Sequence, residues 1–397
     1  MKFTKRTRPI KTSTTLSIST TAHRMELRGI DVANLSIGQP DFPPPRWAIR
    51  AAADYIEQGK FGYLPPQGIL DLRKSVVRHI RSVSDFSVGP SHVLITTGAK
   101  QAIALAFQVL AEEGDEIIIP TPAWVSYDQL VTLAGAKPVF VPTSIENGFA
   151  VTARAIEEKI TSKTKVIIIN SPNNPTGAII PKSELIAIAA MIDKHDLVLV
   201  SDDIYMNLDF SRAKVESVVK YIDNKDKVLS IGGVSKTYAM PGLRLGWAVG
   251  GLKLISKMKD VLSQTVSCVS GPAQIAAKTA LDGSQEFLNE VRKTYKARSE
   301  NICKLLLDIP GVRLVKPKGA FYVLASFEAY IGAYYKGQLI RSTKDLAHFL
   351  LTEAHVAVTP GEAFHAPGFI RFSFAISDEI INRGMERIAG FLLELTR

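Results

Sequence analysis

Two textures of apolar residues alternate along this chain. From about residue 90, short runs rich in Val, Ile and Leu trade places with stretches whose apolar positions recur at helical spacing. "HVLITTG", "DEIIIP", "KVIIIN" and "LVLVSD" read as strands, with "AKQAIALAFQVLAEEG" and "KSELIAIAAMIDKHD" as helices between them. "KVLSIGG" and "LGWAVG" extend the series. Nearly continuous apolar strands joined by helices predict a mostly parallel sheet covered on both faces. After Pro272 a long helical tract runs through "KTYKARSENICKLLLDI", and the texture then changes. "GAFYVLASF", "HVAVTPG" and "FIRFSFA" read as strands among helices, which predicts a second, smaller α+β unit. The fold class expected is therefore α/β with an appended α+β domain.

Composition narrows the functions. The chain has 397 residues, 46% of them hydrophobic, enough to bury a large core in two or three packed domains. Its longest apolar runs fall far below the ~20 residues a bilayer demands, so no membrane span is expected. Neither Cys268 nor Cys303 has a second cysteine or histidine at ligand spacing, which predicts no disulfide framework, no metal site and a reducing, cytoplasmic setting. The net charge of +10 is spread among 38 acidic residues with no aromatic and basic repeat, so a nucleic-acid partner is not expected. The excess modestly favours small anionic substrates at low salt. The first acid is Glu26, and an acid-free start resembles a transit peptide; without an amphipathic arginine face or a cleavage signal, a surface-lying arm is the reading adopted.

In open parallel sheets, ligands bind beyond the carboxyl ends of the strands. Four such ends carry unusual polar residues. One runs into Thr97, Gly98, Ala99 and Lys100 and opens a helix, whose first amides form an anion site. "NSPNNPTG" follows a second, "SDDIY" a third with Asp202 and Tyr205, and "SKTYAMPGLRLGW" a fourth with Ser235, Lys236 and Arg244. A helix N-terminus, a hydroxyl and a guanidinium suit a phosphate dianion. Asp202 suits a protonated ring nitrogen. A lysine among cations has a lowered amine pKa and forms a Schiff base with an aldehyde. Phosphate, aromatic cation and aldehyde together describe pyridoxal 5′-phosphate. Singly, Asp202 also reads as a helix cap, Lys236 as a solvated charge and Asn174 as a turn residue.

Taken in order, "SIGQPDF", "GYLPPQG", "TTGAKQA", "TPAWVSY", "NSPNNPTGA", "SDDIY", "SKTYAMPGLRLG", "GAFYVL" and "FIRFSFA" make the chain resemble a class I/II aminotransferase of fold type I, from about residue 8 to the end. The likeness is nearest to bacterial-type aspartate aminotransferases. It implies a large cofactor-binding domain with a seven-stranded sheet over residues 46–288, a small domain over 289–397, and residues 1–45 as an arm plus part of the small domain. It also implies roles. Lys236 would carry the cofactor as a Schiff base and then, once displaced by the substrate amine, move a proton from Cα to C4′. Asp202 would pair with the ring nitrogen, Tyr205 and Asn174 with the phenolic oxygen, and Trp124 would stack on the ring, although from spacing alone it reads equally as a core aromatic. Gly98, Ala99, Lys100, Ser235 and Arg244 would hold the phosphate. Arg371 would bind the substrate α-carboxylate, assisted by Gly38 and Asn174. Tyr63 would reach the phosphate of a neighbouring subunit, which implies a homodimer with shared sites.

The resemblance extends to the substrates. Lys100 and Thr15 occupy positions that meet a distal carboxylate in similar enzymes, although Lys100 also reads as a phosphate-loop residue facing solvent. The implied activity is exchange of an amino group between aspartate or glutamate and 2-oxoglutarate or oxaloacetate, with prephenate as a further acceptor. Two departures stand out: Gly233 where many relatives carry a serine, and "MPGL" in place of the commoner Thr-Gly-Trp after the methionine. Three rivals are kept: an aromatic or aliphatic aminotransferase, a β-lyase of the same fold type, and a non-catalytic regulator, for which a DNA-binding domain ahead of the match would be required.

Overall fold

Alternate residues of the apolar runs face opposite sides of one sheet, and both sides are covered. The computed structural model describes residues 2–210 and 215–397. Its helices are α1 (Thr14–Glu26), α2 (Arg46–Glu57), α3 (Leu70–Ser84), α4 (Ala99–Leu110), α5 (Tyr127–Ala134), α6 (Ala153–Glu157), α7 (Lys182–Lys194), α8 (Leu252–Thr265), α9 (Gly271–Asp282), α10 (Phe287–Leu307), α11 (Thr343–Thr352) and α12 (Asp378–Leu393). The strands up to residue 250 are β1 (Ala33–Asn34), β2 (Val93–Thr96), β3 (Glu116–Thr121), β4 (Lys137–Pro142), β5 (Thr164–Asn170), β6 (Val198–Asp202), β7 (Val228–Gly233) and β8 (Gly246–Gly250). Beyond it come β9 (Arg313–Leu314), β10 (Tyr322–Ser326), β11 (Tyr334–Tyr335), β12 (Gln338–Leu339), β13 (Val356–Ala357), β14 (Thr359–Pro360) and β15 (Phe369–Ser373).

Among the described residues seven strands form the main sheet, in the order β2-β8-β7-β6-β5-β3-β4. Only β8 runs against the rest, antiparallel to both β2 and β7. Ile95, Ile167, Ile169 and Leu199 face one side, packed by α2, α3, α7 and α9. Leu94, Ile168, Val200 and Ile231 face the other, packed by α4, α5 and α8. Each such side chain, fully buried, contributes about 1.5–3 kcal/mol. The register gathers the site: Asn170 lies opposite Asp202 at the ends of β5 and β6, and Asp202 opposite Ile231, two residues before the end of β7. Gly246 at the start of β8 sits between Thr96 and Gly233, so the loops after β2 and β7 leave the sheet side by side.

A second core joins α10, α11 and α12 to a four-stranded sheet, β14-β15-β10-β9, around Tyr295, Phe321, Phe372 and Phe374. The expected surface arm is in part a docked element. Ala22 of α1 is buried with Val32, Leu351 and Ala357, so α1 is held against β13 and α11 while residues 2–11 stay largely exposed. No described helix is long and apolar enough to cross a membrane.

Candidate active site

The strand ends and the N-terminal helix enclose a cavity of about 410 Å³. Thr15, Gly38, Ala99, Lys100, Trp124, Asn174, Asp202, Tyr205, Ser235, Lys236, Arg244 and Arg371 all line it. Gly98 lies against the Arg244 guanidinium of that lining, and Tyr63, 92% exposed, is not part of it.

Lys236 follows β7, and its Nζ donates to the Gly38 carbonyl at 2.6 Å. Its pKa falls to about 8, chiefly because burial penalises the ammonium, with Arg371 and Arg244 adding repulsion and Asp202 opposing. Burial, rather than the neighbouring cations, is the main cause. Asp202 closes β6 with 5% of its surface exposed. Its carboxylate accepts from the Tyr127 hydroxyl at 2.6 Å and from the Ile204 amide at 3.3 Å. Burial lifts it to about 6, with Tyr127, the Ile204 amide and Lys236 pulling the other way. A positive ring nitrogen placed beside it would favour the ionised form.

Arg371, on β15, is 3% exposed. Its Nη1 donates to the Asn174 side-chain oxygen at 3.1 Å and its Nη2 to the Ser36 carbonyl at 2.7 Å. The guanidinium lies 4.4 Å from the Tyr322 ring centre and 4.8 Å from that of Phe364. Among the described residues its Nε has no partner. Asn174 is set by its own amide, which donates to the Asn170 side chain at 2.8 Å. The Tyr205 and Tyr322 hydroxyls lie 3.1 Å apart.

The phosphate end is built by close approach. Gly98 has φ +84°, and a β-carbon there would sit 2.6 Å from Arg244 Nη2. No side chain caps α4, so its first amides stay available to an anion beside that guanidinium. Lys100 Nζ lies 4.9 Å from the Trp124 ring centre, and burial and Arg244 hold its pKa below the ordinary value. The Thr15 hydroxyl is 2.8 Å from that of Ser13. Gly233 has a steric cause: a β-carbon would meet the Leu245 carbonyl at 2.9 Å, which leaves no room for a serine. The "MPGL" departure forms a short 3-10 turn, Pro241–Leu243, that leaves Arg244 at φ 50°. Gly98→Ala is expected to weaken pyridoxal phosphate binding roughly tenfold, from displacement of Arg244 and about 1–2 kcal/mol of backbone strain. Fluorescence titration of the cofactor-free protein checks this; unchanged affinity would detach Gly98 from the phosphate end.

Three groups escaped the sequence reading: Tyr127, Tyr322 and Asn170. Tyr127 and Tyr322 lie inside quoted motifs, and Asn170 ends a strand, yet each also fits an apolar or turn pattern. The residues fit pyridoxal phosphate. An uncapped helix start beside a guanidinium, a buried carboxylate and an amine held low suit its phosphate, ring nitrogen and aldehyde, and the same cavity holds a buried arginine with one nitrogen unpartnered among the described residues, suited to a substrate carboxylate.

Known proteins match the whole chain. The aspartate aminotransferase of Bacillus sp. (strain YM-2) is 38% identical over 388 residues, spanning 98% of each chain. A probable aspartate/prephenate aminotransferase of Aquifex aeolicus is 36% identical over 97% of each. The solved aspartate aminotransferase of Thermus thermophilus with maleate superposes with a TM-score of 0.92 at 35% identity, covering 98% of this chain and all of that one. The profile of the family described as aminotransferase class I and II matches residues 30–388, across both sheets and every strand end that lines the cavity, and the chain belongs to that pyridoxal-phosphate-dependent family.

Proposed function

We propose that this enzyme moves an amino group between aspartate or glutamate and 2-oxoglutarate or oxaloacetate, with prephenate as a further acceptor. The observation that carries the reading is the meeting of Lys236, Asp202 and Arg371 in one cavity. When bound, pyridoxal phosphate supplies an aldehyde that takes the amino group and a ring that withdraws electrons from the substrate Cα. Arg371 grips the α-carboxylate through its planar fork, steadied by Asn174 and with the Gly38 loop beside it. Lys236 Nζ, with its pKa lowered by burial, would take the Cα proton and return it two bonds away, across the transferred nitrogen. Asp202 holds the ring nitrogen, Tyr205 and Asn174 the phenolic oxygen, and Trp124 covers the ring. Gly98, Ala99, Lys100, Ser235 and Arg244 anchor the phosphate.

Acidic specificity draws support from Lys100 and Thr15 on the cavity wall, and from relatives named for aspartate, one solved with the dicarboxylate maleate. The homodimer draws support from the exposed Tyr63 and from apolar side chains exposed on and after α2, Trp47, Ile49 and Phe61. A cytoplasmic setting and the division at residues 45/46 and 288/289 complete the proposal.

Aspartate should convert the bound cofactor's absorbance to that of its amine form, and 2-oxoglutarate should restore it. Inert aspartate and glutamate beside reactive aromatic or aliphatic amino acids would overturn the substrate assignment. Steady pyruvate release from cystathionine without an oxo acid would instead indicate a lyase. Lys100→Ala is expected to lower kcat/KM for aspartate roughly tenfold while alanine, lacking a distal carboxylate, loses less than about twofold. Equal losses would assign Lys100 to the phosphate end alone.

A further inference from the structure

Asp202 ends β6 as the first of two adjacent acids, and the fold treats the two differently. Asp203 turns from the cavity into a cluster of hydroxyls, with Ser230 at 2.6 Å, Ser201 at 2.7 Å and Ser217 at 3.1 Å from its oxygens. Asp202 faces the cavity and has one side-chain donor among the described residues, the hydroxyl of Tyr127 at 2.6 Å on Oδ2. The Ile204 amide reaches the other oxygen at 3.3 Å, a weaker bond.

Tyr127 is built to be a fixed donor. It opens α5, is 2% exposed, and meets Trp124 edge to face at 5.3 Å. Burial and Asp202 hold its phenol well above the ordinary pKa, so the proton stays on tyrosine and the bond runs one way. A carboxylate with one strong donor on one oxygen loses its freedom to rotate about Cβ–Cγ. The oxygen left with only a long amide bond is then the one free to meet a ligand in the cavity. The same bond lowers the proton affinity of a carboxyl that burial pushes toward protonation.

We propose that Tyr127 is the positioning residue of the ring-nitrogen site: its hydroxyl keeps Asp202 oriented and ionised for a protonated pyridine nitrogen. This rests on the cofactor reading above. Its consequence is selective, because the hydroxyl matters only to a ligand that has the ring nitrogen.

The test measures Kd of cofactor-free wild-type and Tyr127→Phe protein for pyridoxal phosphate and for its 1-carba analogue, in which CH replaces the ring nitrogen. Phe keeps the ring against Trp124 and removes only the hydroxyl. The variant should bind pyridoxal phosphate roughly tenfold more weakly and the analogue within about twofold of wild type. In the loaded variant, the 15N signal of ring-labelled cofactor should move toward the unprotonated position. Equal losses for both ligands, or loss of the fold itself, would give Tyr127 a packing role and overturn the proposal, as would an unchanged pyridoxal phosphate Kd with an unmoved 15N signal. If wild-type protein holds both ligands equally, Asp202 does not pair with the ring nitrogen, and the assignment of Asp202 falls together with the proposal.

Discussion

Lys236→Ala is expected to retain pyridoxal phosphate through the phosphate and ring contacts while losing about 10⁴-fold or more in turnover. A positioned general acid or base contributes roughly 10²–10⁴-fold, and this lysine is also the proposed covalent anchor. The other cavity amine, on Lys100, lies 4.9 Å from the Trp124 ring centre, is assigned to the distal carboxylate, and is no substitute. Borohydride reduction of the wild-type holoenzyme followed by peptide mapping should place the label on Lys236; a label on another lysine would overturn the assignment. Capture of cofactor by the cofactor-free protein needs the neutral amine. Its rate should rise about tenfold per pH unit and level off above about 8, whereas an ordinary lysine would still be climbing at pH 10. The stability linkage has a matching sign. The folded pKa lies below the unfolded one, so the unfolded chain binds more protons between pH 8 and about 10.5. Across that window the cofactor-free fold should gain stability relative to Lys236→Ala.

The parts of this molecule written locally were legible, and those set by distant pairing were not. Strands buried on both faces announce themselves as apolar runs, so β2, β3, β5, β6, β7 and β8 were readable one by one. β4, "KPVFVP", is absent from that series; it carries two prolines, which a central strand does not tolerate, and it lies last in the sheet, where one side needs no ladder partner. The reversed direction of β8 hides in an apolar run like the others. Its signal was the connection from 234 to 245, which holds no crossover helix of the kind a parallel neighbour requires.

The site divides the same way. Asp202 ends a strand, Gly98 and Lys236 come within three residues after one, and the sheet's register delivers them together. Arg371 and Asn174 are 197 residues apart, so their bond depends on how the small sheet docks, which no local pattern encodes. Tyr127 was invisible for another reason: an aromatic in the first turn of an amphipathic helix reads as core, and most of its surface is core. Only its hydroxyl is engaged with the site. The 3.6-residue period places a ring without revealing what the oxygen at its tip touches.

Arg371→Met should separate activity from stability. In wild-type protein a permanent cation is 3% exposed, and among the described residues no carboxylate pairs with it; two aromatic faces, the Ser36 carbonyl, the Asn174 amide oxygen and, at 3.4 Å, the Thr359 hydroxyl hold it in place. Burial disfavours its charge, and an unpaired buried charge costs several kcal/mol that a substrate carboxylate would offset on binding. Removing the guanidinium therefore deletes the group the substrate needs and also a source of strain in the free enzyme. The expected loss in kcat/KM is about 3 kcal/mol, roughly 150-fold, and equal for aspartate and alanine, because both carry the same α-carboxylate. That equality contrasts with the selective loss expected of Lys100→Ala. The melting temperature of the cofactor-free protein should hold steady or rise, since methionine fills the slot between Tyr322 and Phe364 without a charge. Arg371→Lys should recover little, because a single ammonium cannot reproduce the planar two-pronged grip. A melting temperature lower by many degrees, with alanine turnover intact, would make Arg371 a structural strut and move carboxylate recognition elsewhere in the cavity.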